Sequence, residues 1–228
     1  MITALIVAGG RGHRLGGPIP KQYRLLGGIP IIRRTIMALQ DHQAINHVQV
    51  VIHSDDHDLY HRATAGMLLP APLPGGNSRQ DSVRLGLEGI ASIGSRIVII
   101  HDAVRPFVAA HTITAVIAAL EVSSGAIAGV PLADTLKRCQ GDRIVGTVER
   151  TDLWRAQTPQ GFRFADILAA HRRAYQENPL ALDLTDDAAV AERAGFDVTM
   201  VPGSDDNFKI TTEDDLRRAE FMLQRPPG

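Results

Sequence analysis

Residues 4–22 read ALIVAGGRGHRLGGPIPKQ. An apolar, β-branched run enters a glycine-rich turn, and no bulky apolar side chain follows until Leu15. Arg14 and Lys21 stand seven positions apart, with Pro20 directly before the lysine. An apolar strand, a glycine turn and spaced cations are the parts with which a fold holds a polyphosphate at the carboxyl end of a strand. Glycines there let backbone N–H groups approach phosphate oxygens with no Cβ in the way. No Gly-Lys-Ser/Thr follows, so this is not a Walker loop, and Gly10, Gly12 and Gly16 miss the dinucleotide spacing by one residue. By itself the stretch reads equally as a tight strand-to-helix turn with two solvated cations. The rest of the chain decides between them.

Outward from it, strand-like and helix-like runs alternate. Strands are expected at 2–8, 48–52, 97–100 (ending in His101-Asp102), 126–130 and 198–201. Helices are expected at 30–39, 58–69, 78–90, 111–122, 164–176, 185–194 and 212–223. The first carries Ile31, Ile32, Thr35, Ile36 and Leu39 on one face, and the last has Thr212 and Asp215 placed for a capping interaction. Residues 70–77, PAPLPGGN, read as a loop. Residues 132–154 differ in texture: short β-like pieces at 135–139 and 144–148 flank Gly141-Asp142, which is hairpin chemistry. Alternation of this kind implies βαβ units and a mostly parallel sheet covered by helices on both faces. The expected fold class is therefore α/β, one domain over residues 1–228 with a protruding β-arm at about 132–155. Right-handed crossovers then gather residues 9–21, 75–82 and 102–106 along one sheet edge, where open α/β sheets bind ligands.

The bulk properties narrow the function. A 228-residue chain with 44% hydrophobic residues buries a sizeable core. Its net charge of −1 favours neither nucleic acid nor an anionic membrane, so any phosphate must be held by a local cluster of cations. The single cysteine, Cys139, excludes an internal disulfide and a cysteine zinc cluster. No apolar run reaches the ~18 residues of a membrane span, and Met1 leads straight into a strand without a signal-like segment, so a cytoplasmic location is expected.

Arg14 and Lys21 can neutralise a triphosphate. Asp102, at a strand end, is a hard oxygen ligand suited to magnesium, which takes one or two carboxylates plus substrate phosphates. The plainer alternative is a carboxylate that caps a loop or pairs with Arg105. Gly75, Gly76 and Ser82 offer backbone groups and a hydroxyl to a nucleobase, or else form only a turn and a helix start. The nine histidines show no metal-site spacing, and no nucleophile–base pair is evident. Cations and a carboxylate without a nucleophile suit phosphoryl or nucleotidyl transfer, where positioning and charge stabilisation carry the reaction.

Eight motifs occur in order: A-G-G-x-G-x-R-L with P-K-Q-Y, G-G-x-x-R-x-x-S-V (75–83), H-D-A-x-R-P (101–106), D-T-L-K (134–137), T-V-E-R (147–150), W-x-x-Q-T-P-Q (154–160), T-D-D-A (185–188) and D-N-x-K-I-T (206–211). Together they resemble the 2-C-methyl-D-erythritol 4-phosphate cytidylyltransferase family over essentially the whole chain. The resemblance implies a Rossmann-like nucleotidyltransferase fold, CTP as co-substrate, Mg²⁺, and a homodimer formed through an exchanged β-arm. It implies catalytic roles for Arg14, Lys21, Arg150 and Lys209. Ala8, Gly9, Gly10, Gly76, Ser82 and Ala103 fall on the nucleotide-binding positions, and Asp102, Arg105, Thr135, Thr158 and Asp206 on the substrate side, with Asp102 also beside the metal. Thr135 and Arg150 are implied to reach the partner subunit's site. Asn77 stands where several relatives carry Asp, and Ile29 where relatives often have Lys. Some family members are fused to a downstream cyclase domain.

The implied reaction joins CTP to 2-C-methyl-D-erythritol 4-phosphate by in-line attack of the substrate phosphate on the α-phosphorus. The alternatives are a ribitol-5-phosphate cytidylyltransferase with the same P-K-Q loop, and a nucleotide-binding module without catalysis.

Overall fold

In the computed structural model, which describes residues 1–11, 19–178 and 184–224, strand β1 (Ile2–Ala8) lies between two parallel neighbours. A strand covered on both faces needs apolar side chains at every position rather than at alternate ones. Accordingly Leu5 points into one core with Val83, Leu87 and Phe162, while Ala4 and Ile6 point into another with Ile32, Ile36 and Leu39.

The chain continues through a short hairpin, β2 (Leu25–Leu26) and β3 (Ile29–Pro30), into α1 (Ile31–Gln40), which buries the five residues its periodicity marks. Then come β4 (His47–Ile52), α2 (His57–Ala63), β5 (Leu73–Pro74), α3 (Arg79–Gly89), β6 (Ile97–Asp102), α4 (Ala110–Ala119) and β7 (Gly125–Pro131). The hairpin of β8 (Leu136–Gln140) and β9 (Arg143–Val148) precedes β10 (Trp154–Arg163), α5 (Phe164–Glu177), α6 (Asp187–Arg193), β11 (Val198–Pro202) and α7 (Glu213–Leu223).

Seven strands form one sheet in the order β11-β7-β10-β6-β1-β4-β5, parallel except for β10. This is the α/β architecture expected. The carboxyl ends of β1, β4 and β6 open on one edge, and the glycine turn leaves from there.

Three readings need correction. The helix expected over 58–69 is α2, which stops at Ala63: the Thr64 hydroxyl and N–H both donate to the Tyr60 carbonyl, and Gly66 turns left-handed at φ 78°. The loop at 70–77 contains edge strand β5, paired with β4. Strand β10 was not expected at all. Pro159 cannot donate to a ladder, and the strand accommodates it where the pairing with β7 shifts between Ala156 and Gln160.

Candidate active site

A cavity of about 340 Å³ opens at this sheet edge, lined by residues that follow β1, β4, β5 and β6 together with Lys209 from the loop before α7. Ala8, Gly9, Gly10, Lys21, Gly76, Ser82, Asp102, Ala103 and Lys209 all line it. Arg14 lies outside the described residues.

The glycine turn is anchored from both sides. Gln22, 1% exposed, donates through Nε2 to the carbonyls of Ala8 at 2.8 Å and Gly10 at 3.3 Å. The residue after the P-K pair thus ties the loop's return to its departure and holds Lys21 at the cavity. Arg11 reaches across to the end of β4, placing Nη2 at 2.8 Å from both His53 Nδ1 and Asp55 Oδ2, and Nη1 at 3.0 Å from Asp56 Oδ1.

The second wall is the turn before α3. The Ser78 hydroxyl caps that helix by accepting from Asp81 N–H. Ser82 Oγ donates to the Ser78 carbonyl at 2.8 Å and accepts from Gly76 N–H at 3.1 Å. A Cβ on Gly9 or Gly75 would lie 3.0 or 2.9 Å from that oxygen, so glycine allows the two loops to close on one another. Ala103 is set by its N–H to the Val7 carbonyl at 3.1 Å and by the Thr35 hydroxyl to its own carbonyl at 2.9 Å.

Asp102 is the centre of charge. The pairing with Arg105 offered as the plainer alternative is present, at 3.2 Å, but it is one of three: Arg79 Nε lies 3.3 Å from Oδ1 and Lys209 Nζ 3.1 Å from Oδ2. Burial alone would raise the Asp102 pKa; Arg79, Lys209 and Arg105 outweigh it and hold the carboxyl well below the usual carboxylate range. Arg105 is fixed in turn by Nη1 donating to the Asn207 carbonyl at 2.7 Å. Arg79 bridges to a second carboxylate, Asp187 Oδ2, at 2.7 Å. Burial would lower the Arg79 pKa, but Asp187 and Asp102 raise it.

Thr158 and His101 stand behind this centre, outside the cavity wall. His101 Nε2 faces the Arg105 carbonyl at 3.0 Å and so carries the proton. Its Nδ1 then accepts from the Thr158 hydroxyl at 2.9 Å, and Thr158 Oγ1 accepts from Asp102 N–H at 3.1 Å. Burial drives the His101 pKa down to about 4, consistent with a neutral ring. The Thr158 hydroxyl is therefore spent on orienting the strand end. Asp206 is exposed, its N–H donating to Ser204 Oγ, and does not line the cavity. Thr135 and Arg150 are exposed on the arm and are not brought to their own chain's cavity.

Arg79, Asp187, Gln22 and Arg11 were not read as site residues. Arg79 and Asp187 sit inside the quoted G-G-x-x-R and T-D-D-A motifs, but their pairing spans 108 residues and no local pattern shows it. Among the described residues no group of three His, Cys, Asp or Glu side chains is placed to hold a metal. A single ionised carboxylate beside cations instead fits a magnesium ion whose remaining ligands are substrate phosphates and water.

A sequence model of the family described as "IspD: 2-C-methyl-D-erythritol 4-phosphate cytidylyltransferase" matches residues 2–225. The chain is 50% identical to a "Bifunctional enzyme IspD/IspF" of Paramagnetospirillum magneticum, covering 98% of this chain and 57% of that protein. It is thus little more than half the length of these bifunctional relatives. A "2-C-methyl-D-erythritol 4-phosphate cytidylyltransferase" of Cereibacter sphaeroides is 43% identical, with 99% of this chain and 98% of that one covered. Among solved structures, the cytidylyltransferase of Francisella tularensis superposes with a TM-score of 0.81 at 29% identity, over 97% of this chain and 99% of its own. The 4-diphosphocytidyl-2C-methyl-D-erythritol synthase of Anaerococcus prevotii gives 0.83 at 28% identity, over 98% of each. On fold, site and sequence together, the chain belongs to the 2-C-methyl-D-erythritol 4-phosphate cytidylyltransferase family.

Proposed function

We propose that this chain is a nucleotidyltransferase that converts CTP and 2-C-methyl-D-erythritol 4-phosphate to 4-diphosphocytidyl-2-C-methyl-D-erythritol and pyrophosphate, a step of non-mevalonate isoprenoid synthesis. The observation that carries this reading is the cavity that Lys21 lines and in which Arg79, Arg105 and Lys209 pair with the ionised Asp102 beside a glycine turn.

The nucleophile is a phosphate oxygen of the sugar phosphate. With a second pKa near ~6 it is already largely ionised at neutral pH, which accounts for a site without a general base. The obstacle is electrostatic: like unit charges ~4 Å apart repel by about 4 kcal/mol at an effective dielectric of 20. Lys21 and Lys209, with Arg14, offset that repulsion and stabilise charge growing on the α-phosphoryl and leaving oxygens as the P–O bond to pyrophosphate breaks. Asp102 would hold a magnesium ion, which would supply further neutralisation of the phosphate charge. Ala8, Gly9, Gly10, Gly76, Ser82 and Ala103 frame the cytidine; Asp102, Arg105 and Thr158 belong to the sugar-phosphate side, Arg105 and Thr158 by holding Asp102, and Asp206, outside the cavity wall, has no role there.

Thr135 and Arg150 complete the site of a second copy. The arm supports this by leaving Leu136, Ile144, Val145, Leu153 and Trp154 each at least 38% exposed. Clustered exposed apolar residues of this kind mark an interface. No described helix is long and apolar enough to cross a membrane.

The test is pyrophosphate release with CTP, UTP, ATP and GTP against methylerythritol phosphate and ribitol 5-phosphate, with and without Mg²⁺. Turnover restricted to CTP, methylerythritol phosphate and metal is expected. Preference for ribitol 5-phosphate would reassign the substrate, and CTP binding without any turnover would leave a nucleotide-binding module.

A further inference from the structure

The Arg79 guanidinium does not end at the cavity. Its Nε meets Asp102 Oδ1, and its Nη2 meets Asp187 Oδ2 at 2.7 Å. Asp187 Oδ1 in turn lies 3.3 Å from Nε2 of His171, and both residues are 0% exposed. Asp187 is not needed to start α6. Asp186 caps that helix by accepting from Ala189 N–H at 2.9 Å, and the N–H groups of Asp187 and Ala188 both donate to Gln160 Oε1. Among the described residues the Asp187 side chain therefore hydrogen-bonds Arg79, with His171 beside its other oxygen.

Buried ion networks seldom repay their desolvation as stability; a well-packed apolar group is often as good or better. A guanidinium clamped between two buried carboxylates calls for another reason. The three cations on Asp102 suggest it. Arg105 is anchored at Asn207 and Arg79 at Asp187, whereas Lys209 is the most exposed of the three, at 37% against 11% and 25%. The two anchored arginines fix the carboxylate plane from opposite oxygens, and the lysine is the partner most easily exchanged. Without Asp187, Arg79 would be free to turn both of its nitrogens onto Asp102 and occupy lone pairs that a metal needs.

We propose that Arg79 and Asp187 form a positioning pair: Asp187 holds the guanidinium so that it orients Asp102 for the metal–triphosphate without smothering it. The proposal rests on reading the cavity as a CTP site. Its test uses Mn²⁺ as a spectroscopic probe, with binding to the whole protein measured by electron paramagnetic resonance in the presence of CTP at a temperature where each variant is folded. Asp187→Asn and Arg79→Lys should each weaken Mn²⁺ binding by about tenfold, the scale seen when a group supporting a metal ligand is removed. Arg79→Lys carries the same comparison if Asp187→Asn does not fold, because Arg79 stands at the cavity edge. A lowered melting temperature with unaltered Mn²⁺ affinity would make the pair merely structural and overturn the proposal. Failure of the unsubstituted protein to bind Mn²⁺ with CTP would instead overturn the reading of the cavity.

Discussion

Lys21 owes its position to its neighbour. Gln22 bonds the loop carbonyls, so the lysine beside it is presented to the cavity rather than to bulk water. Replacing it removes one oriented charge from the transferring phosphates: Lys21→Ala should lower kcat by about 10²-fold or more, measured as pyrophosphate release at saturating CTP and magnesium. Unchanged turnover would remove Lys21 from the chemistry. His101 makes a different prediction, because its folded-state pKa of about 4 lies below the usual 6.5. Between those values the unfolded chain binds more protons than the folded one, so stability is fully present above pH 6.5 and is lost as pH falls toward 4. The loss from this one group is about 3 kcal/mol. Denaturant unfolding at pH 7 and pH 4 should show it, with a smaller pH dependence in His101→Gln; an equal dependence in both proteins would assign it to other groups.

Among elements, α7 carries the most local signal. Thr212 Oγ1 accepts from Asp215 N–H at 3.1 Å, and Asp215 Oδ2 accepts from Thr212 N–H at 2.9 Å, the reciprocal cap its spacing announces. Thr212→Ala should cost about 1 kcal/mol, a drop of roughly 2–4 °C in Tm at this chain length. A Tm unchanged within error would mean that the α7 packing onto Leu26 and Ile31 holds the helix without its cap. By contrast β10 carries almost no local signal. Its middle contains buried Gln157, Thr158 and Gln160, and its pairing partners β6 and β7 are distant in the chain. Those polar side chains make sense only where they meet His101, Asp186 and Asn207.

At the scale of the whole molecule, the arm carrying Thr135 and Arg150 does not reach the cavity of its own chain. If Arg150 completes the partner's site, Lys21→Ala and Arg150→Ala proteins should each be nearly inactive alone. Mixed and allowed to exchange subunits, they should regain activity: random assortment of a two-fold dimer makes about a quarter of the sites intact. No recovery after verified exchange would place Arg150 in its own chain's site or outside the chemistry.

Residue order alone was enough to read β1, the glycine turn and the alternation of strand and helix, because backbone freedom and burial periodicity act over a few neighbouring residues. It also marked Lys21 and Asp102, since charge and strand-end position are visible locally, and Ser82 at a glycine turn, whereas Lys209 entered only through the family resemblance. The clamp on Asp102 was another matter. Arg79 reaches its two carboxylates across 23 and 108 residues, and only the packing of α3, β6 and α6 at one sheet edge brings them within hydrogen-bond range. The opening stretch thus announces a place where phosphate can bind, while the charge balance there is set by side chains that meet only in the folded chain.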